Sequence, residues 1–177
     1  VINLFDFYNL PVKLAIDQAT LKKEFFEKSK KYHPDFFANA TDEEQRAALE
    51  QSTVNTVAYK TLSNEDLRLE YILKQAGLIN DEEKPSLPPD FLMEVMEMNE
   101  EVMELQFDFD PEVFKRLDGR AAHYEKELSE EKKQASHQFD HFENEEDRMK
   151  ALQVLKNLYY KSKYLLRLRQ TLNTFAQ

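Results

Sequence analysis

No cysteine occurs anywhere in the 177 residues, which excludes disulfides, thiol nucleophiles and thiolate metal sites together. Glycine is nearly absent too: Gly77 and Gly119 are the only two, leaving few turn points for a β-sheet. No apolar run approaches the roughly 18 residues a membrane-spanning helix needs. The N-terminus shows no basic stretch followed by an apolar one, as a secretory signal would. A cytoplasmic chain with no membrane partner is expected. Excess positive charge is also missing. At a net charge of −10 the surface repels phosphates, so nucleic acid is excluded as a general ligand.

What is present is Lys, Glu, Leu and Gln, the composition of helices, over a length that suits one large or two small domains. An all-α chain is expected. Leu21 to Tyr32 reads as an amphipathic helix, with Leu21, Phe25, Ser29 and Tyr32 on one arc and Lys22, Lys23 and Lys30 opposite. Between Lys22 and Lys31 five lysines stand against two glutamates, a local reversal of the overall charge. This helix must stop at His33, because the residue before a proline is pushed out of the helical region. His33-Pro34-Asp35 therefore opens a loop. The next helix begins at Thr41-Asp42-Glu43-Glu44, which has the form of a capping box, and runs to about Leu62. By themselves these residues allow a bland reading, a solvated lysine face and an Asp35 that caps a turn. His33 and Asp35 have no nucleophile, metal-ligand set or oxyanion pocket beside them, so an intrinsic active site is not expected.

Ala76-Gly77 has the form of a helix end, and Asn80 to Pro89 contains three prolines and no helical period. The division expected is 1–76, a linker over 77–89, and a second domain over 90–177. A helix from about Asp90 to Gln106 would carry Phe91, Val95, Met98, Val102 and Leu105 as a heptad seam. Beside it Leu92, Met96 and Met103 form a second apolar stripe flanked by Met93, and Glu94, Glu97, Glu100, Glu101 and Glu104 fill the remaining arc. Periodicity alone favours a wide core face gripped by two neighbours. The richness in methionine and the adjoining carboxylates favour instead an adaptable surface for a partner with an apolar patch ringed by basic residues.

Two more helices complete a three-helix antiparallel bundle. One starts at Pro111 and carries Val113, Leu117, Ala121, Tyr124 and Leu128; the other opens near Glu145 and carries Leu152, Leu155, Tyr159, Leu166 and Leu172. Gly119 is expected to mark a close helix crossing, and His137 to Glu143 to be less regular. His137, Asp140, His141 and Glu143 could be offered as a metal site, but the spacing fixes no third ligand, and no metal is expected.

The order of helix, His33-Pro34-Asp35 loop and helix, followed by Ala58-Tyr59-Lys60-Thr61-Leu62-Ser63 and Leu67-Arg68-Leu69-Glu70-Tyr71-Ile72-Leu73, resembles a J-domain. The tract Phe91-Leu92-Met93-Glu94-Val95-Met96-Glu97-Met98-Asn99-Glu100-Glu101-Val102 and the start Ile2 to Pro11 narrow this to a resemblance to the HscB family, J-type co-chaperones of iron–sulfur cluster assembly. That resemblance covers essentially the whole chain. It implies a J-domain hairpin with short flanking helices, then a C-terminal three-helix bundle, with no enzymatic activity and no cofactor. It further implies that His33, Pro34, Asp35, Lys22, Lys23, Lys30 and Lys31, with Phe26 in the same face, meet an HscA- or DnaK-type chaperone ATPase. Leu92, Met93, Met96, Glu97, Glu100, Glu104 and Tyr160, with Tyr159 the alternative for the last, would meet an IscU-like iron–sulfur scaffold protein. Two departures stand out. Asn55-Thr56 lies between Val54 and Val57 where relatives place an Ile or Val and then Asn, and the tetracysteine segment of some eukaryotic relatives is missing, which favours a bacterial-type protein. A general J-protein for other clients, or a helical adaptor that needs no ATPase, stays open.

Overall fold

The structure is a computed structural model that describes residues 3–80 and 86–175. Two compact units result, Val1–Gly77 and Leu78–Gln177. Among the described residues every regular element is helical, and no helix is long and apolar enough to cross a membrane.

The first unit holds α1 (Leu4–Phe7), α2 (Gln18–Lys31), a 3₁₀ turn (Pro34–Phe37), α3 (Asp42–Ser63) and α4 (Glu65–Gln75). Each start is written in a local cap. The Asp17 carboxylate accepts the Ala19 and Thr20 amides at the head of α2, and Asn64 caps α4. The Thr41 hydroxyl and Glu44 carboxylate complete the expected capping box on α3. Bonds from the Thr41 amide and then its hydroxyl hold the Glu44 carboxyl below its ordinary range. α4 ends at Gly77, whose φ of 67° lies in the left-handed region that glycine enters without steric cost.

α2 and α3 form an antiparallel hairpin whose seam holds a buried polar hub that the sequence pattern does not announce. Asn55 donates from Nδ2 to the Phe25 carbonyl (3.1 Å) and the Ser29 hydroxyl (2.9 Å). The Tyr8 hydroxyl lies 2.8 Å from its Oδ1 and 2.9 Å from its backbone carbonyl, so one proton is shared between two acceptors. Burial pushes the Tyr8 phenol far above its ordinary range, which keeps it a neutral donor. Asn55 thus ties the residue that ends α1 to both hairpin helices. Asn55→Ala is expected to destabilise this unit by about 2–4 kcal/mol, because it leaves a cavity and strips buried groups of partners. Urea unfolding followed by circular dichroism measures the change. A second buried polar residue, Arg68, donates from Nε to the Leu14 carbonyl (2.8 Å) and from a terminal nitrogen to the Leu62 carbonyl, pinning the α1–α2 connection to the end of α3.

The second unit is a three-helix bundle of α5 (Pro89–Phe107), α6 (Pro111–His141) and α7 (Glu145–Asn173). Three-residue connections at 108–110 and 142–144 make neighbours antiparallel. The heptad seam Phe91, Val95, Met98, Val102 and Leu105 is buried as expected. α6 and α7 are clamped by Arg169, which donates to Glu125 (2.9 and 3.0 Å) and to Asp118.

Several expectations are corrected. α6 stays helical through His141, so the irregular segment is Phe142 to Asn144 rather than His137 to Glu143: Phe139 and Asp140 are buried, and packing carries the helix through the polar tract. Gly119 marks no close crossing, since it is exposed and a Cβ there would meet nothing within 4 Å. On α7 the core face takes Leu165 and Leu168, while Leu166 points outward. Within the expected linker, Ile79 and Leu87 are buried. Asp81 to Pro85, like Ile2, lies outside the described residues.

Candidate docking surfaces

In the first unit, α2 turns Leu21 into the core and leaves Lys22, Lys23, Lys30 and Lys31 exposed. Lys23 makes an exposed contact with Glu27 at 3.8 Å, an interaction of little strength in water. Lys31 lies over the Tyr32 ring at 5.2 Å. Phe26 is exposed within this surface. Lys28, which the helical pattern leaves unassigned, is withdrawn over the Phe7 ring at 4.6 Å.

His33 takes an extended conformation (φ −66°, ψ 131°), as its position before Pro34 requires, and caps the 3₁₀ turn. Its Nδ1 accepts the Asp35 amide at 3.3 Å. The Asp35 carboxylate lies 3.5 Å from the same nitrogen. Because Nδ1 accepts the Asp35 amide, it offers no proton to the carboxylate. Pro34 stiffens the turn and Asp35 projects into solvent. Phe36 beside them is exposed, its ring edge toward His33 at 6.2 Å between centroids.

In the second unit, the α5 stripes divide. Whereas the seam faces α6 and α7, Met93 is 62% and Met96 61% exposed, Met103 is exposed as well, and Leu92 is half-buried. The wide core face that periodicity favoured is therefore not formed. The acidic line is unequal. Glu101 is claimed by Arg116 and by Arg120 (2.8 Å), and Glu97 lies 3.7 Å from Arg120. Among the described residues no ion pair engages Glu94, Glu100 or Glu104. Tyr160 is only 8% exposed, its ring edge-on to Tyr159 at 5.4 Å, on the helix whose Lys161 lies 5.3 Å from the Phe91 ring. It offers little surface of its own.

His137 and His141 stack at 4.0 Å on α6, with His141 Nδ1 2.8 Å from the His137 carbonyl. Among the described residues, no three His, Cys, Asp or Glu side chains come together where they could hold a metal ion.

Residues 87–173 match the family profile described as the HSCB C-terminal oligomerisation domain. A co-chaperone protein HscB homolog of Vibrio vulnificus is 37% identical over 111 residues, 62% of this chain and 65% of that protein. The homolog of Vibrio parahaemolyticus is 33% identical over 138 residues, 72% of this chain and 81% of the relative. The chain belongs to the HscB co-chaperone family. Two solved structures of HscB proteins share its fold. The HscB chaperone of Vibrio cholerae superposes with a TM-score of 0.63 at 24% identity, over 99% of this chain and 98% of that one. Human HscB superposes with a TM-score of 0.72 at 22% identity, over 99% and 83%. The HscB architecture of an N-terminal J-domain followed by a C-terminal helical bundle is the fold described above.

Proposed function

We propose that this chain is a J-type co-chaperone that stimulates ATP hydrolysis by an HscA- or DnaK-type chaperone and brings an IscU-like scaffold protein to it, assisting iron–sulfur cluster maturation and transfer. The observation that carries this reading is the joining, in one chain of the HscB family, of an exposed His33-Pro34-Asp35 turn beside a lysine face to a methionine-rich helix face bordered by Glu100 and Glu104, which no ion pair among the described residues engages. The chain itself performs no chemistry. Lys22, Lys23, Lys30 and Lys31 steer α2 onto an acidic surface of the ATPase, and the stiff turn presents the Asp35 carboxylate as a charged acceptor to a cationic group beside that surface. Leu92, Met93 and Met96 supply apolar contact to the scaffold, and Glu97, Glu100 and Glu104 face its basic rim. The cluster is cargo held by the scaffold, in keeping with a sequence that has no thiolate to ligate it.

The test is the steady-state ATPase rate of an HscA-type chaperone with this protein and an IscU-type scaffold, singly and together. Stimulation by the pair greater than the sum of the two alone is expected. Stimulation that ignores the scaffold would favour a general J-protein, while no stimulation at all would sink the co-chaperone reading.

A further inference from the structure

The exposed face of α5 runs beyond the footprint just proposed. Phe107, the last residue of the helix, is 89% exposed, and Met103, one turn before it, is 58% exposed. At helical steps of about 100° per residue, Leu92, Met103, Met96 and Phe107 fall within a single arc of about 60°. Glu100 and Glu104 lie along one border of that arc. From Met93 to Phe107 the strip is ~21 Å long at 1.5 Å of rise per residue.

A single exposed aromatic is ordinary and needs no explanation. Phe107 differs because it continues a row of three exposed methionines on one helix face. We propose that Met103 and Phe107 belong to the scaffold-docking strip, so that the scaffold meets α5 with an elongated apolar groove carrying lysines or arginines along one side. This rests on α5 being the docking face. Charge identifies the occupant: Arg116 and Arg120 neutralise the Glu97–Glu101 side of the helix, whereas no ion pair among the described residues engages Glu100 and Glu104. An anionic border with no internal counter-charge selects a cationic rim on the partner. Phe107 then supplies the kind of large, rigid anchor that dominates binding energy at protein interfaces.

The experiment is calorimetric titration of the full chain with a purified IscU-type scaffold, using wild type, Met96→Ala and Met103→Ala/Phe107→Ala. Circular dichroism melting checks that the exposed positions leave the bundle intact. The Met103→Ala/Phe107→Ala variant is expected to bind roughly tenfold more weakly, and Glu100→Gln/Glu104→Gln to flatten the salt dependence. If Met96→Ala weakens binding and Met103→Ala/Phe107→Ala does not, the extension is wrong and the shorter footprint stands. Wild-type affinity in both would overturn the docking face itself. A concentration-dependent dimer that dissolves in the Phe107 variant, seen by sedimentation, would mean that a second copy of the chain covers the strip, and would overturn the proposal.

Discussion

Asp35→Asn is expected to abolish stimulation of the chaperone ATPase while leaving the fold and scaffold binding unchanged. The side chain is 87% exposed, and its contacts within the turn run to His33 alone. Asparagine keeps its size, so the 3₁₀ turn and its His33 cap survive. Only the negative charge goes. Removing one member of a charge pair desolvated in a complex costs about 2–5 kcal/mol, enough to push stimulation towards the basal rate. Single-turnover ATPase measurements with and without the variant, alongside circular dichroism of the variant alone, separate a lost contact from a lost fold. Wild-type stimulation by Asp35→Asn would mean that the tripeptide is incidental, and the helical-adaptor reading would then be preferred.

Leu92→Ala/Met96→Ala carries the second large effect, confined to the other unit. The double change is expected to weaken scaffold binding by about 2–4 kcal/mol, the range for truncating two central apolar contacts at an interface, and so to remove the synergy in ATPase stimulation. Stimulation by this protein without scaffold should be unaltered. The reason for expecting a clean result is geometric: the core contacts of α5 come from Phe91, Val95, Met98, Val102 and Leu105, which the double change does not touch. A variant that keeps its synergy would show that the scaffold docks elsewhere.

Much of this was legible in the residues because the signals are local. The stop of α2 before Pro34, the capping box at Thr41 and the opening of α7 near Glu145 each depend on a few neighbouring residues, and the structure shows the helices breaking there. The order of segments around His33-Pro34-Asp35 carried the family resemblance for the same reason. At Gly119 and in the His137 to His141 tract a local rule meets long-range packing: a Cβ at Gly119 would meet nothing within 4 Å, so the glycine serves no crossing, and packing of Phe139 and Asp140 keeps the polar tract helical.

By itself the sequence determined that the chain is helical, where its helices break, and that a stiff charged turn follows a basic helix, since propensity, capping and proline geometry act within a few residues. Only the tertiary structure decided whether the second apolar stripe on α5 is buried beside the heptad seam. Both satisfy the helical period, and the choice was made by the side chains that α6 and α7 bring to one of them. The same held for the acidic line, where Arg116 and Arg120 reach across from α6 to claim Glu101, while no ion pair among the described residues engages Glu100 or Glu104. It held also for Asn55, which looks like an irregularity in α3 until folding brings Tyr8, Phe25 and Ser29 within hydrogen-bonding distance. Burial and pairing depend on partners far away in the chain, and periodicity alone does not name them.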